Sequence, residues 1–477
     1  AYLAGMVALG WVLARRIHHF KDYFLGGGAL TTPLLVCTLV STYYGLDVTF
    51  GTSESGFYYG LSAWVWYSCP YYGTIIIAAA MIAPRLKKQS QGRMMTISDL
   101  LEQHYGPSTR FVSAIGCFVY NAPIMQMTGI VLILSMCGIP GEYGMIAAIA
   151  ICAMYTIMGG LWADVISDTV QFLLMCVSLA IAIPLALHWI GGVSAFDELP
   201  ASYMTSSGGR SPFLLFAWAA ASLTVLVEPS FYNRVFAAKD AKSIRNALLI
   251  GILLWAAYDW AVVIIGMIAQ VAVSRGLPGF DEDTPGASSL PYVCAQVLPT
   301  GLRGLMIGGM LSAAMSTIDS YSLLASGNLV YDIFRPLHDR LSPRKLSDRA
   351  TLLLTRIGVF VVMVAAAVIE LAFNRMREGW IFMTSVLVSV VMVPTLAAIF
   401  GNPKRVAGLL GSLSGLLGLV AFYVMIFTQG VRDDIEETYV WRIGAFEIWQ
   451  DCAVFFALPV SIIGFVLGQI LGRPRND

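Results

Sequence analysis

The sequence contains little charge. Only 12% of its 477 residues are Asp, Glu, Lys or Arg, which is about half the share found in a soluble domain. Apolar residues make up 57% of the sequence, enough for about twelve to fourteen membrane-crossing helices of about 20 residues each. The composition therefore argues against a soluble globule and predicts an all-α polytopic membrane protein.

Several chemical motifs are also missing. The eight cysteines show no C-x-x-C or other paired spacing, which argues against a zinc site or a redox dithiol. The sequence has no P-loop, no H-E-x-x-H and no G-x-S-x-G, and its histidines do not cluster with acids. Because the net charge is zero, nothing suggests a nucleic-acid partner. These absences argue against an ATP-driven pump and against an enzyme.

Thirteen apolar stretches alternate with charged or Gly/Pro-rich breaks and predict thirteen spans. We expect the first span to be truncated, because the sequence starts inside an apolar run. Loops on one side of the predicted membrane hold 22 of the 29 basic residues, which predicts a cytoplasmic C-terminus and an outside N-terminus. The predicted spans lie near 1–14, 30–57, 61–83, 111–136, 142–159, 164–189, 213–233, 246–273, 302–333, 351–373, 379–400, 406–429 and 449–471.

Spans 2 and 7 each contain a feature that would break a helix. Span 2 concentrates Gly, hydroxyl and acidic residues over 41–56, and span 7 carries Glu228 followed by Pro229. The two breaks lie five spans apart. Because five is an odd number, the spans that begin at each break run in opposite orientations, as an inverted repeat requires. The alternative is a pair of ordinary kinks. The predicted organisation is a first helix and cytoplasmic loop (1–29), two five-span repeats (30–190 and 191–400) and two C-terminal helices (401–477).

Span 9 carries a face of small and oxygen-bearing side chains. At about 100° per residue, Gly309, Ser312, Ala313, Ser316 and Ser320 share this face, and Thr317 and Asp319 lie at its edges. Hydroxyl and carbonyl oxygens are ligands that a hard cation such as Na⁺ accepts. The alternative is a packing seam whose hydroxyls bond to carbonyls of the same helix.

Four motifs in order resemble the sodium:solute symporter family. They are Asp22-Tyr23-x-Leu25-Gly26-Gly27, Tyr155-Thr156-x-x-Gly159-Gly160-Leu161-x-Ala163 with Ser167-Asp168-x-x-Gln171, Arg234 with Ala237-Ala238, and Ala313-Ala314-Met315-Ser316-Thr317. The resemblance implies a LeuT-like fold of thirteen transmembrane helices with a 5+5 inverted repeat. It also implies a Na⁺ site formed by the backbone carbonyls of Ser41, Tyr44 and Ala313 and the hydroxyls of Ser316 and Thr317. Asp168 matches an aspartate that, in some members, assists sodium binding or forms a second ion site.

Acidic residues depart from the family pattern at Asp47, Asp164 and Glu228. Buried carboxylates need a cationic partner or a proton, so Asp47 and Glu228 favour a solute with an amine or quaternary ammonium group. Aromatic candidates for contact with such a group are Tyr43, Tyr44, Trp66, Tyr120 and Tyr258, and further polar candidates are Asn121 and Ser385. The predicted solute-binding residues are Asp47, Glu54, Gln126, Glu228, Tyr258 and Thr384.

The sequence therefore predicts a sodium-coupled symporter that imports a small organic solute by alternating access. The alternatives are a transporter-like solute sensor and a proton-coupled or uncoupled carrier. We expect a multi-pass protein of a bacterial inner membrane that acts as a monomer or weak homo-oligomer. Its predicted partners are the lipid bilayer, sodium and the solute.

Overall fold

The computed structural model describes residues 19–136, 138–280, 286–370, 376–433, 438–444 and 446–472. Helices dominate these residues. In chain order they are α1 (Phe20–Leu25), α2 (Thr32–Tyr43), α3 (Leu46–Tyr59), α4 (Leu61–Ser90), α5 (Ile97–Tyr105), α6 (Pro107–Asn121), α7 (Ile124–Met136), α8 (Gly141–Trp189), α9 (Pro212–Ala221), α10 (Pro229–Ala237), α11 (Ala241–Ser274), α12 (Ser289–Val297), α13 (Thr300–Gly327), α14 (Arg335–Leu341), α15 (Asp348–Glu370), α16 (Gly379–Phe400), α17 (Arg405–Gln429) and α18 (Ala453–Leu471).

The described residues contain nine helices that are long and apolar enough to cross a membrane, and the bent pair α2 and α3 makes a tenth candidate. The predicted spans near 142–159 and 302–333 are also helical, in the first part of α8 and in α13 with its π-helical continuation Asn328–Phe334. The predicted first span lies outside the described residues.

The break in the second predicted span lies at Tyr44 and Gly45. Helix α2 ends at Tyr43 and α3 begins at Leu46, and the two axes differ by 54°. The N–H of Tyr44 donates to the carbonyls of Val40 and Ser41 at 3.1 and 3.2 Å, whereas Gly45 has an extended backbone. The helical hydrogen-bond pattern is therefore interrupted in the middle of this span.

The seventh predicted span is broken as well. Helix α9 passes into a 3₁₀ turn over Ser222–Leu226, and α10 starts at Pro229. Glu228 is extended, with φ −66° and ψ 124°, because a residue before proline is disfavoured from the α conformation. Both breaks thus occur at the residues from which the sequence predicts them, while the repeat boundaries stay a prediction.

Helix α8 contains the fifth and sixth predicted spans, which meet at a turn. Gly160 has φ 50° and ψ −153°, a conformation that glycine adopts far more readily than other residues. Beyond this turn α8 packs along α13, and α3 packs along α11. These contacts bring the second, sixth, eighth and ninth predicted spans together around the broken helix.

One segment differs from the all-α prediction. The outside loop predicted near 430–448 contains a small antiparallel sheet of β1 (Val431–Arg432), β2 (Tyr439–Ile443) and β3 (Phe446–Trp449), in that spatial order. Alternating residues over these few positions are too short a signal to separate a strand from a loop. The sheet leads into α18 and leaves the bundle unchanged.

Outside the predicted spans, helix starts follow ordinary capping chemistry. Asp240 precedes α11 and accepts a hydrogen bond from the N–H of Ser243 at 2.7 Å. This bond lowers the pKa of the Asp240 carboxyl, because it stabilises the charged form.

Candidate ion and solute site

The end of α2 contacts the polar face of α13 through oxygen atoms. The hydroxyls of Ser41 and Ser316 lie 2.8 Å apart. Thr317 Oγ1 donates to the carbonyl of Thr42 at 3.2 Å and approaches the carbonyl of Ala313 at 3.3 Å. All five side chains are buried. The structure thus brings most of the predicted sodium ligands together, with Tyr44 at the adjacent break.

Asp168 lies in the same cluster. Its Oδ1 accepts from the Ser316 hydroxyl at 2.5 Å, and its Oδ2 accepts from the Thr38 hydroxyl at 2.6 Å. Because each hydroxyl has one proton, Ser316 gives its proton to Asp168 and accepts that of Ser41. The oxygens of this cluster are therefore oriented around a buried carboxylate.

Asp164 forms an ion pair with Arg234 beside this cluster. Arg234 Nη2 lies 3.0 Å from Asp164 Oδ2 and 2.6 Å from the hydroxyl of Ser320, and it also contacts Thr38 and Thr42. Arg234 is 1% exposed and Asp164 is 2% exposed. Asp164, an unusual acid in the sequence, therefore neutralises a buried arginine that joins α10, α8, α2 and α13.

The cluster as a whole has an excess of negative charge. Asp164 and Asp168 contribute two carboxylates, and Arg234 contributes one guanidinium. A buried excess charge is costly unless a counter-ion or a proton compensates it. Hydroxyl, carbonyl and carboxylate oxygens are the donors that a hard cation prefers. The residues present therefore fit one small monovalent cation.

A separate cavity of about 110 Å³ opens beside the broken helix. Nine of its 17 lining residues are tyrosine or tryptophan, and its charged lining residues are Glu228 and Asp259. No lysine or arginine lines it among the described residues. Aromatic faces and carboxylates in a cavity with no basic lining residue are suited to an organic cation.

Glu228 sits in this cavity at the break before α10. Its Oε1 accepts from the Ser230 hydroxyl at 2.7 Å and from the Tyr321 hydroxyl at 3.3 Å. Tyr43 donates a further hydrogen bond to the same carboxylate. The extended backbone at the break places this side chain among tyrosines of two other helices.

Asp259 is a lining residue that sequence reasoning missed. Its Oδ1 accepts from the Tyr44 hydroxyl at 3.0 Å, its Oδ2 accepts from the Tyr72 hydroxyl at 2.5 Å, and Ser68 donates as well. The signal was available, since Asp259 is the only charged residue within 246–273 and an ionisable residue inside a membrane is usually functional.

The other predicted solute residues do not line the cavity. Tyr258 packs on the Tyr44 ring with centroids 4.1 Å apart but lies outside the lining. Glu54, Gln126 and Thr384 are buried elsewhere. The side chain of Asp47 lies outside the described residues.

The aromatic side chains that the sequence suggests for contact with a positive group also fall into two sets, those that line the cavity and those that do not. Tyr43, Tyr44 and Tyr120 line the cavity. Trp66 instead donates to the Ser206 carbonyl at 2.8 Å.

The remaining polar side chains of the prediction have local roles. Asn121 donates to the Asn328 side chain at 2.9 Å. Ser385 donates to the carbonyl of Ile381 at 2.8 Å. Asp319 accepts from the Thr156 hydroxyl at 2.5 Å, on the side of α13 that faces α8.

Broken helices around a central cavity in a helical membrane bundle are typical of secondary transporters. The model of the Sodium:solute symporter family matches residues 23–404, and the chain belongs to that family. It is therefore a multi-pass membrane transporter and not an enzyme.

Relatives with known roles share about a quarter of their residues with the chain. The Sodium/pantothenate symporter of Escherichia coli (strain K12) is 23% identical over 422 residues, covering 85% of this chain and 84% of the relative. The High-affinity proline transporter PutP of Bacillus subtilis (strain 168) is 25% identical over 400 residues, covering 78% and 80%.

The fold resembles that of a solved transporter. The structure of a Na⁺-coupled sialic acid symporter in a substrate-bound outward-open state matches with a TM-score of 0.79 at 16% identity, covering 100% of this chain and 98% of that one. This likeness shows the LeuT-like fold.

Proposed function

We propose that the protein couples the inward movement of Na⁺ to the import of a small organic solute with a positively charged group, by alternating access. The observation that carries this proposal is the buried oxygen cluster between the broken α2 and α13, which has one more carboxylate than guanidinium. The relatives support it, because their names describe sodium-coupled and proline transport.

Sodium in this proposal bridges Ser41 and Tyr44 at the helix break to Ala313, Ser316 and Thr317 on α13. Its charge compensates the excess negative charge next to Asp168. Bound Na⁺ stabilises the conformation in which α2 and α13 are held together, and it thereby raises the affinity for the solute. By linkage the solute must raise the affinity for Na⁺ by the same factor.

The solute occupies the aromatic cavity with its positive group near Glu228. No described lysine or arginine lines this cavity, so a cationic solute supplies the missing counter-charge. Tyrosine and tryptophan faces around it add cation–π contacts. The chain is proposed to act as a monomer or weak homo-oligomer in a bacterial inner membrane.

The test is the thermal stability of the purified protein with amines, quaternary ammonium compounds, amino acids and pantothenate, each in Na⁺ and in K⁺ at matched ionic strength. A ligand that binds the folded state raises the melting temperature. We expect a cationic solute to do so only in Na⁺. A shift that is equal in both salts would replace the proposal with a uniporter, a proton-coupled carrier or a sensor.

Ser316→Ala tests the ion site. The variant removes a hydroxyl that contacts both Ser41 and Asp168, so we expect the Na⁺ concentration needed for half-maximal solute binding to rise about tenfold. The matched control is Ser312→Ala, one turn earlier on α13, whose buried hydroxyl has no hydrogen-bond partner among the described residues. Unchanged Na⁺ dependence in Ser316→Ala would show that the site is assigned wrongly.

Glu228→Gln tests the solute site. The substitution keeps the size of the side chain and removes its charge, so affinity for a cationic solute should fall about tenfold or more. Affinity for Na⁺ in the absence of solute should stay the same. Undiminished binding of the cationic solute would contradict the role of Glu228.

A further inference from the structure

Asp259 is a second carboxylate in the solute cavity, and it is held independently of Glu228. Asp259 lies on α11 and accepts hydrogen bonds from the hydroxyl of Tyr44 at the helix break and from those of Tyr72 and Ser68 on α4. Glu228 lies at the start of α10 and is bonded by a different set of hydroxyls. The two carboxylates therefore form two anionic positions and not one shared site.

The helix break separates these two positions. Tyr43 and Tyr44 are adjacent in the chain, yet Tyr43 donates to Glu228 and Tyr44 donates to Asp259. Trp255 lies beside both tyrosines, with its ring 5.4 Å from that of Tyr43. The Tyr44 hydroxyl also donates to the Trp255 carbonyl at 2.6 Å, so its single proton is shared between this carbonyl and Asp259. Aromatic surface thus spans the space between the two carboxylates.

A solute with a single positive group would compensate only one of these charges. The other carboxylate would remain in an aromatic cavity that offers it hydroxyl donors but no described lysine or arginine. A buried carboxylate needs either a counter-charge or a proton, and a second positive group is the counter-charge that a solute can supply. The charge of Arg234 in the sodium cluster also acts on Glu228, but Arg234 is already paired with Asp164. The excess carboxylate of the cluster accounts for one further cation, so the cluster does not supply this counter-charge.

We propose that the transported solute carries two positively charged nitrogen groups, one bound near Glu228 and the other near Asp259. A linear aliphatic diamine is the simplest member of this class, and its methylene chain would lie along the aromatic surface. The inference rests on the proposed transport function and specifies its substrate class.

The experiment compares putrescine with n-butylamine, which has the same carbon chain and one amine. Affinities are measured by isothermal titration of the purified full chain in Na⁺. We expect putrescine to bind about tenfold or more tightly than n-butylamine, because it forms a second charged contact. Equal affinities of the two amines would overturn the proposal without any variant.

Asp259→Asn then assigns the second contact. In this variant putrescine affinity should fall to the level of n-butylamine, while the affinity for n-butylamine changes less than about twofold because Glu228 remains. Asp259→Glu, which keeps the charge, should retain the preference for putrescine and shows that loss in Asp259→Asn is not misfolding. An unchanged preference in Asp259→Asn would place the second amine elsewhere and overturn the proposal.

The salt comparison separates this proposal from sodium coupling. If putrescine is preferred equally in Na⁺ and K⁺, the diamine class stands and the coupling to Na⁺ fails. If neither amine binds but another solute stabilises the protein only in Na⁺, the coupling stands and the diamine class fails.

Discussion

At the scale of single residues, Tyr44 connects the two sites. Its backbone lies at the break where we propose that its carbonyl binds Na⁺, and its hydroxyl contacts Asp259 in the cavity. Tyr43 precedes the break, and its hydroxyl donates a hydrogen bond to the other carboxylate, Glu228. The same substitution of tyrosine by phenylalanine at these two positions is therefore expected to have different consequences.

Tyr44→Phe should weaken the coupling between Na⁺ and solute. The variant keeps the ring and backbone but loses the hydroxyl that joins Asp259 to the break, so the factor by which Na⁺ raises solute affinity should fall about fivefold. Tyr43→Phe should lower solute affinity while keeping that factor. Solute titrations at several Na⁺ concentrations measure both, and an equal Na⁺ dependence in the two variants would contradict the role of Tyr44.

Arg234→Gln should destabilise the folded protein by about 3–5 kcal/mol, because it leaves Asp164 buried without its partner. The double variant with Asp164→Asn should recover part of this loss, since both charges are then removed. Arg245→Gln is the control, because Arg245 is exposed. Thermal unfolding in detergent gives the comparison, and a loss below about 1 kcal/mol in Arg234→Gln would mean that the pair is not needed for folding.

At the scale of elements, glycines allow α3 to lie directly against α11. A Cβ at Gly266 would overlap the backbone of α3 at Ser53 and Phe57, and one at Gly56 would overlap the backbone of Val263. This close contact fixes α11, and therefore Asp259, relative to the broken helix. Small residues serve this purpose in membrane bundles, where packing is the main force between helices.

Gly266→Ala should therefore reduce both stability and solute affinity. We expect a loss of about 1–3 kcal/mol in stability, because the added methyl group forces α3 and α11 apart. Gly73→Ala on α4 is the control, since a Cβ there has no atom within 4 Å. Melting temperature and solute titration measure the two effects. A variant that binds and melts like Gly73→Ala would show that this contact does not position the site.

The sequence predicts the elements of the fold better than the faces that they present to the cavity. Glycine, hydroxyl and proline residues act locally on the backbone, so the breaks near Tyr44 and Glu228 could be placed from the sequence. Which side of α11 faces the cavity depends on contacts with α3. The sequence therefore predicts Tyr258 as a solute-binding residue, whereas Asp259 lines the cavity. Gln126 and Thr384 are predicted because they are polar residues of a span, and polarity alone does not reveal the direction in which a side chain points.

At the scale of the whole molecule, the ion cluster and the cavity meet at the second predicted span. The cluster holds α2 against α8, α10 and α13 through Asp168 and Arg234. The cavity is lined by residues of α2, α3, α4, α6, α11, α13 and α16 and by Glu228. Movement at the break would change both sites at once. This shared element gives a physical basis for coupling without direct contact between Na⁺ and solute.

The distribution of basic residues predicts which side of the membrane each loop faces. Since 22 of 29 lie in one set of loops, the loop between α14 and α15 should be cytoplasmic and the loop before α9 should be outside. Ser207 and Ser347 are exposed residues in these two loops. A membrane-impermeant thiol reagent should therefore label Ser207→Cys in intact cells and Ser347→Cys only after permeabilisation.

The unsubstituted protein is the control for this labelling, because its seven described cysteines are buried or half-buried. Labelling of Ser347→Cys in intact cells, with Ser207→Cys protected, would invert the orientation. The solute would then reach the cavity from the opposite side, and the proposed direction of import would have to be reversed, although the ion cluster and its charge balance would be unaffected.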